Sequence, residues 1–255
     1  MPIAIDVGTA WLTSVLLCSL RIGAMLLMTP ILDGFGIPAR VRILLVVALS
    51  ATLVSFLPGI KPIPYDDTGS VITAGIGELC IGALLGFAAQ CAFAAFSFAG
   101  NLLDQQLGFG LANVFDPMTR AQSPLIASLF GLLGVVLFFT VDAHHALLRG
   151  IAYSLERVPL GSGPLHVAPA ALAGQFGLVF SFGLLLAAPV MFCIFLIEIG
   201  MAVVSRTLPQ MNIFMISIPV KIAAGMLLLT LVVTRLGPLF NKVFASIFQF
   251  WERAL

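Results

Sequence analysis

The chain has 255 residues, of which 60% are hydrophobic and only 9% charged, with a formal net charge of +1 and a mean hydropathy of +1.15. A soluble domain carries about a quarter charged residues, so this composition excludes a water-soluble globular protein. The near-neutral balance gives no electrostatic footing for nucleic acid or for an acidic partner. What remains is an integral membrane protein, and long apolar runs without two-residue alternation select helices over a closed barrel. The expected fold is all-α, one membrane domain over residues 1–255.

Residues 1–9, MPIAIDVGT, hold Asp6 and neither Lys nor Arg, so the basic start of a cleavable signal peptide is missing and the first apolar run is expected to be retained. Six apolar segments follow, at about 10–32, 43–57, 71–100, 124–148, 171–204 and 213–234. A span needs about 20 residues to cross a core of about 30 Å. As single helices the fifth and third segments would run about 51 and 45 Å, and the second only about 22 Å. Tilt absorbs part of the mismatch, and Pro189 offers a place for a kink or break in the longest run. Helices that leave the bilayer plane under the cover of other protein would absorb the rest. Six spans would place Lys61, Arg149, Arg157, Arg235, Lys242 and Arg253 on one side against Arg40, Arg42, Arg120 and Arg206 on the other. Such a division specifies no orientation, so either the span count is wrong or the chain is not laid into the bilayer as a simple serpentine.

Within the third segment, GALLG at Gly82 and Gly86, followed by Ala88, Ala89, Ala92, Ala94, Ala95, Ala99 and Gly100, makes a surface that permits close helix approach, with no indication of whose helix approaches. Cys18, Cys80, Cys91 and Cys193 all lie in apolar runs and read as small buried hydrophobes, not as disulfides or metal ligands. After Pro238, at about 238–253, Phe240, Val243, Phe244, Ile247, Phe248 and Trp251 fall on one side at helical spacing. That segment is expected to be an amphipathic helix, lying at the interface or docked on a partner protein.

Five charges, Arg21, Glu78, Asp142, Glu198 and Lys221, sit inside the apolar runs. Such groups cost several kcal/mol against lipid. Being of both signs and scattered, they are expected to pair structurally between helices or subunits, not to form a proton relay. The sequence DAHH, with Asp142, His144 and His145, is the most enzyme-like cluster. Adjacent histidines on a helix diverge by about 100°, however, and nothing later completes a site, since His166 lies in the Gly/Pro-rich LGSGPLHVAP. No metal, cofactor or catalysis is expected, and no nucleophile elbow, phosphate loop, HExxH or dinucleotide fingerprint is present. Between the third and fourth segments, a loop at about 106–123 contains GFGLANVFDPMTRAQSP, which combines glycines with a greasy side-chain set. It either tucks against its own bundle or projects from it.

GIPARVRI after the first segment, LGFG and FDP in the central loop, LLGVVLFFTVDAHHALL, RVPLG, and PQMNIFMISIPVKI before the last segment are collinear over essentially the whole chain. In this order they resemble the FliR/SctT family of type III secretion export gates, the flagellar branch more than the injectisome branch on DAHHALL and PQMNIF. The motif residues that carry the resemblance include Gly36, Pro38, Arg40, Arg42, Pro209, Asn212, Phe214 and Pro219. The resemblance implies a non-catalytic structural subunit of an inner-membrane gate in the flagellar basal body, through which unfolded flagellar proteins pass. FliP-like and FliQ-like subunits are the implied partners, together with FlhB-like and FlhA-like export proteins. In that family the subunits form a closed helical ring partly raised toward the periplasm, and the central loop helps plug its pore. This chain's counterpart is Gly108, Phe109, Gly110, Leu111, Val114, Phe115, Asp116 and Pro117. Glycines let such a loop fold inward and move aside, and apolar side chains block ions by dewetting. The injectisome homologue is the alternative. A more distant one is a secondary transporter for a small solute, with Glu78, Glu198 and Lys221 coupling, although no internal repeat supports it.

Overall fold

The computed structural model describes residues 8–31, 37–56, 68–109, 124–162, 167–208 and 213–255. Among these residues the secondary structure is eight helices and no strand: α1 Thr9–Met28, α2 Ala39–Phe56, α3 Thr68–Leu107, α4 Leu125–Thr140, α5 Ala143–Arg157, α6 Pro169–Thr207, α7 Ile213–Val233 and α8 Gly237–Ala254. The protein is all-α. Five helices are long and apolar enough to cross a membrane, and α4 with α5 makes a sixth apolar passage bent by 73°.

Several boundaries differ from the sequence expectation for identifiable reasons. The second segment is a full span of 18 residues, because α2 starts at Ala39 with the Pro38 carbonyl accepting from Val41 and Arg42 N–H at 2.9 and 3.2 Å. Arg40 and Arg42 therefore ride on the first turn of the helix and not in a connector. The third runs on past Gly100 through Asn101, Asp104 and the two glutamines to Leu107, about 60 Å at 1.5 Å per residue. Pro189 does not break α6, which continues through it from Pro169 to Thr207. The fourth segment, expected as one helix, is broken at Asp142, which adopts left-handed φ 57° and ψ 22°. Aspartate is among the few side chains that tolerate this conformation. Asp142 is thus an exposed bend residue and not a charge within a span.

Contacts divide the chain into two compact units, one comprising Met1–Cys91, Phe138–Gln175 and Phe244–Leu255, the other Ala92–Leu137 and Phe176–Val243. In the first, α1 lies in close approach to α3 at the small residues: a Cβ on Gly82 would fall on the Arg21 carbonyl, and one on Gly86 would stand 2.9 Å from the Met25 carbonyl oxygen. The GALLG face thus packs within its own chain. Trp251 of α8 lies against Gly150 of α5, where no side chain would fit, and its Nε1–H donates to the Leu85 carbonyl at 3.1 Å. Phe138 meets Phe244 edge-on at 5.6 Å, and Phe244, Ile247 and Trp251 are buried. The apolar face of α8 is therefore covered by the chain itself. Cys18 and Cys91 are buried as expected, whereas Cys80 is exposed and Cys193 half-buried; all four are free thiols.

In the second unit, α3 and α4 approach so closely that a Cβ on Gly100 would overlap the Ala127 backbone, and Phe98 packs edge-on against Phe180 of α6 at 5.2 Å. Phe96 stacks on Phe240 at 5.8 Å. Burial differs sharply among the helices. In the most apolar window of α3, 61% of the residues are buried, against 6% for Met215–Val233 in α7. An almost bare apolar helix must be covered by lipid or by another chain.

Candidate functional site

Gly108 ends α3 with φ 86°, a left-handed conformation that glycine adopts without steric cost. Its N–H donates to the Gln105 carbonyl at 3.2 Å. The helix occupies residues 106 and 107, so the central loop begins at Gly108, two residues later than expected. One turn earlier stands Asp104, 4% exposed. Its two carboxylate oxygens accept from the backbone N–H groups of Ile126 and Ala127 at 3.0 and 2.9 Å. These are the unsatisfied donors at the start of α4, and a carboxylate there is favoured by both the hydrogen bonds and the helix dipole.

One side chain on the near side of the loop therefore caps the helix on the far side, and Gly100 opposite Ala127 brings the two backbones together beside it. Leu107, fully buried, lies against Gly225 of α7, where a side chain would collide. Phe109 is half-buried. The base of the loop is clamped. Gly110, Leu111, Val114, Phe115, Asp116 and Pro117 lie outside the described residues. Asp104 is not legible as a cap in the sequence, since nothing local points from the start of α4 to a residue 22 positions back.

The intramembrane charges form two pairs. Arg21 and Glu78 are 0% and 1% exposed and meet in a two-pronged bridge, Nε to Oε2 at 2.5 Å and Nη2 to Oε1 at 3.1 Å. The remaining guanidinium donors reach the Ser154 and Val158 carbonyls at the end of α5, each at 3.0 Å. Glu78 also accepts from the Gly161 N–H at 2.9 Å. The planar guanidinium fork suits this set, and its charge complements the carbonyl end of a helix. The pair joins α1, α3 and α5 in a fully satisfied buried network.

Glu198 of α6 and Lys221 of α7 form the second pair, with the glutamate 40% and the lysine 18% exposed. Glu198 borders a groove of about 300 Å³ together with Leu102, Gln105, Gln106 and Met191, the glutamines being those at the root of the loop. Gln106 Oε1 is shielded and has no hydrogen-bond partner among the described residues.

Asp142 joins neither pair and stands with His144 and His145, where one ligand-type atom from each lies within 4.8 Å of the others. Of the motif residues, Pro38 and Arg40 are exposed and Arg42 half-buried at the start of α2. Pro219 lies within α7. Phe214 belongs to α7 by its backbone, and Gly36, Pro209 and Asn212 fall outside the described residues.

Apolar helices long enough to span a bilayer, a buried Arg21–Glu78 pair closed within the chain, and a loop held at its base by Asp104 define a helical membrane protein. Residues 12–247 match the family of bacterial export proteins, family 1, and the chain belongs to that family, whose members are protein-export components. Among its relatives, the flagellar biosynthetic protein FliR of Bacillus subtilis (strain 168) is 30% identical over 234 residues, 90% of each chain. Flagellar biosynthetic protein FliR of Escherichia coli (strain K12) is 28% identical over 94% of this chain and 92% of that protein. Yop proteins translocation protein T of Yersinia pestis is 31% identical over 68% of this chain and 69% of that protein.

Proposed function

We propose that this chain is a structural pore subunit of the flagellar type III protein export gate, set in the bacterial inner membrane at the basal body and raised in part toward the periplasm. It assembles there with FliP-like and FliQ-like subunits, in company with FlhB-like and FlhA-like proteins, and passes unfolded flagellar proteins. The observation that carries this is the family match over 12–247 together with relatives named for flagellar biosynthesis over nine tenths of the chain. The bare apolar surface of α7 supports a chain that is covered by neighbours.

The loop at 108–117 acts as the plug. A clamp at its base by Asp104 lets the segment beyond Gly108 project and move without loosening the helices that flank it. Deletion of 110–117, which leaves Gly108 to terminate α3, is expected to preserve assembly of the gate and to make the membrane leak small ions. Phe109→Ala with Phe115→Ala should leak less, and Gly110→Val should slow export by stiffening the loop. An assembled deletion variant as ion-tight as the parent refutes the plug; loss of assembly makes the loop part of the scaffold. Injectisome secretion is the second reading, resting on the Yersinia relative over 68% of the chain. A non-motile deletion strain selects the flagellar one.

A further inference from the structure

We propose that Asp142, His144 and His145 bind one divalent transition-metal ion of the zinc class at the bend between α4 and α5. Asp142 is the one non-glycine residue with positive φ among the described residues. It stands at the start of α5 without using its carboxylate to cap the helix. Its carbonyl instead accepts from His145 and Ala146 N–H at 3.0 and 3.4 Å, which leaves the carboxylate oxygens available.

One of those oxygens lies 3.5 Å from Nδ1 of His145. Around a tetrahedral ion with ligand bonds of about 2.0–2.1 Å, neighbouring ligand atoms stand about 3.3 Å apart, so this pair is already at ligand spacing. The third ligand, from His144, lies within 4.8 Å of both, and rotation of its imidazole would close the set. Regular helix geometry would throw adjacent histidines about 100° apart. Here the two rings instead lie with centroids 4.1 Å apart, and His144 also rests on the Phe139 ring at 5.3 Å.

His144 keeps one ring nitrogen, the shielded Nδ1, without a hydrogen-bond partner among the described residues, which is uncommon for a buried polar atom. Two imidazoles and one carboxylate suit zinc, nickel or copper, whereas calcium and magnesium take oxygen ligands. The positive end of α5 opposes a cation, and the Asp142 charge offsets it. The Asp142 and His145 side chains are 74% and 63% exposed, so water or a group from a neighbouring chain fills the open positions. Bound metal would pin Asp142 in its left-handed conformation and with it the 73° bend.

The test uses the full chain in detergent, without a polyhistidine tag, stripped by chelator and titrated with Co²⁺ and then Zn²⁺. One equivalent of Co²⁺ should give visible d–d bands without thiolate charge transfer and be displaced by Zn²⁺. Asp142→Asn, His144→Gln and His145→Gln should each weaken binding at least tenfold, and His166→Gln should leave it unchanged. In the unaltered protein, Zn²⁺ should slow amide exchange at 143–147 at least tenfold, a measurement that does not depend on any variant folding. Absence of a saturable equivalent, a thiolate band, affinity unchanged in the three variants, or unaltered exchange at 143–147 would each overturn the site.

Discussion

The two ion pairs use the same chemistry in opposite settings. Arg21–Glu78 is sealed, and its remaining donors and acceptors are taken up by the Ser154 and Val158 carbonyls and the Gly161 N–H. Glu198–Lys221 is open on one side, next to a polar groove at the root of the central loop. A sealed pair holds one conformation, because separating it strands a charge in low dielectric. An open pair can exchange partners at modest cost. The first belongs to the permanent scaffold. The second stands where the chain meets what is outside it.

The largest expected effect tests the sealed pair. Arg21→Met or Glu78→Leu alone should destabilise by about 3–5 kcal/mol through an uncompensated buried charge, seen as loss of folded protein or a lower thermal midpoint in detergent. The double variant should regain at least half, its shortfall reflecting the carbonyls that lose Arg21. A double variant no better than either single one would deny that charge burial is the cause. In the second unit, Gly100→Val should cost about 1–3 kcal/mol by forcing α3 from α4, read as faster proteolysis within 108–124. Asp104→Ala removes the cap of α4 and should cost about 0.5–2 kcal/mol, with amide exchange accelerated at Ile126 and Ala127. Smallest of all, Lys221→Met should shift the isolated chain by less than about 1 kcal/mol where water reaches the groove. The same change should weaken recovery of the assembled gate. An Arg21-sized effect on the isolated chain would erase the distinction between the pairs.

The apolar runs were legible because lipid permits only one kind of spanning element for such runs, and the small residues of GALLG correctly announced a close helix approach. The ends were not. Arg40 and Arg42 look like connector residues until the Pro38 carbonyl is seen to start α2, and the polar residues within Asn101–Gln106 hide the last seven residues of α3. The break at Asp142 carried no Gly or Pro signal within VDAHH, and left-handed aspartate is a property of geometry, not of composition. At the loop, the greasy, glycine-marked segment drew attention by its sequence alone. Its clamp did not, because a side chain capping a helix 22 residues away is a tertiary fact. Convergence of His144 and His145 is likewise not legible, since helical spacing fixes Cβ directions and not where the rings turn.

The indole of Trp251, hydrogen-bonded to the Leu85 carbonyl and pressed on Gly150, bears on the order of synthesis. The unit that contains residues up to Cys91 also requires Phe244–Leu255, and about 150 residues must be translated between those two stretches. At about 5–20 residues per second that interval is on the order of ten seconds. During it α1 and the first part of α3 are made but lack the tryptophan that donates to the Leu85 carbonyl. The first helices to be inserted must therefore wait, incompletely covered, for one of the last.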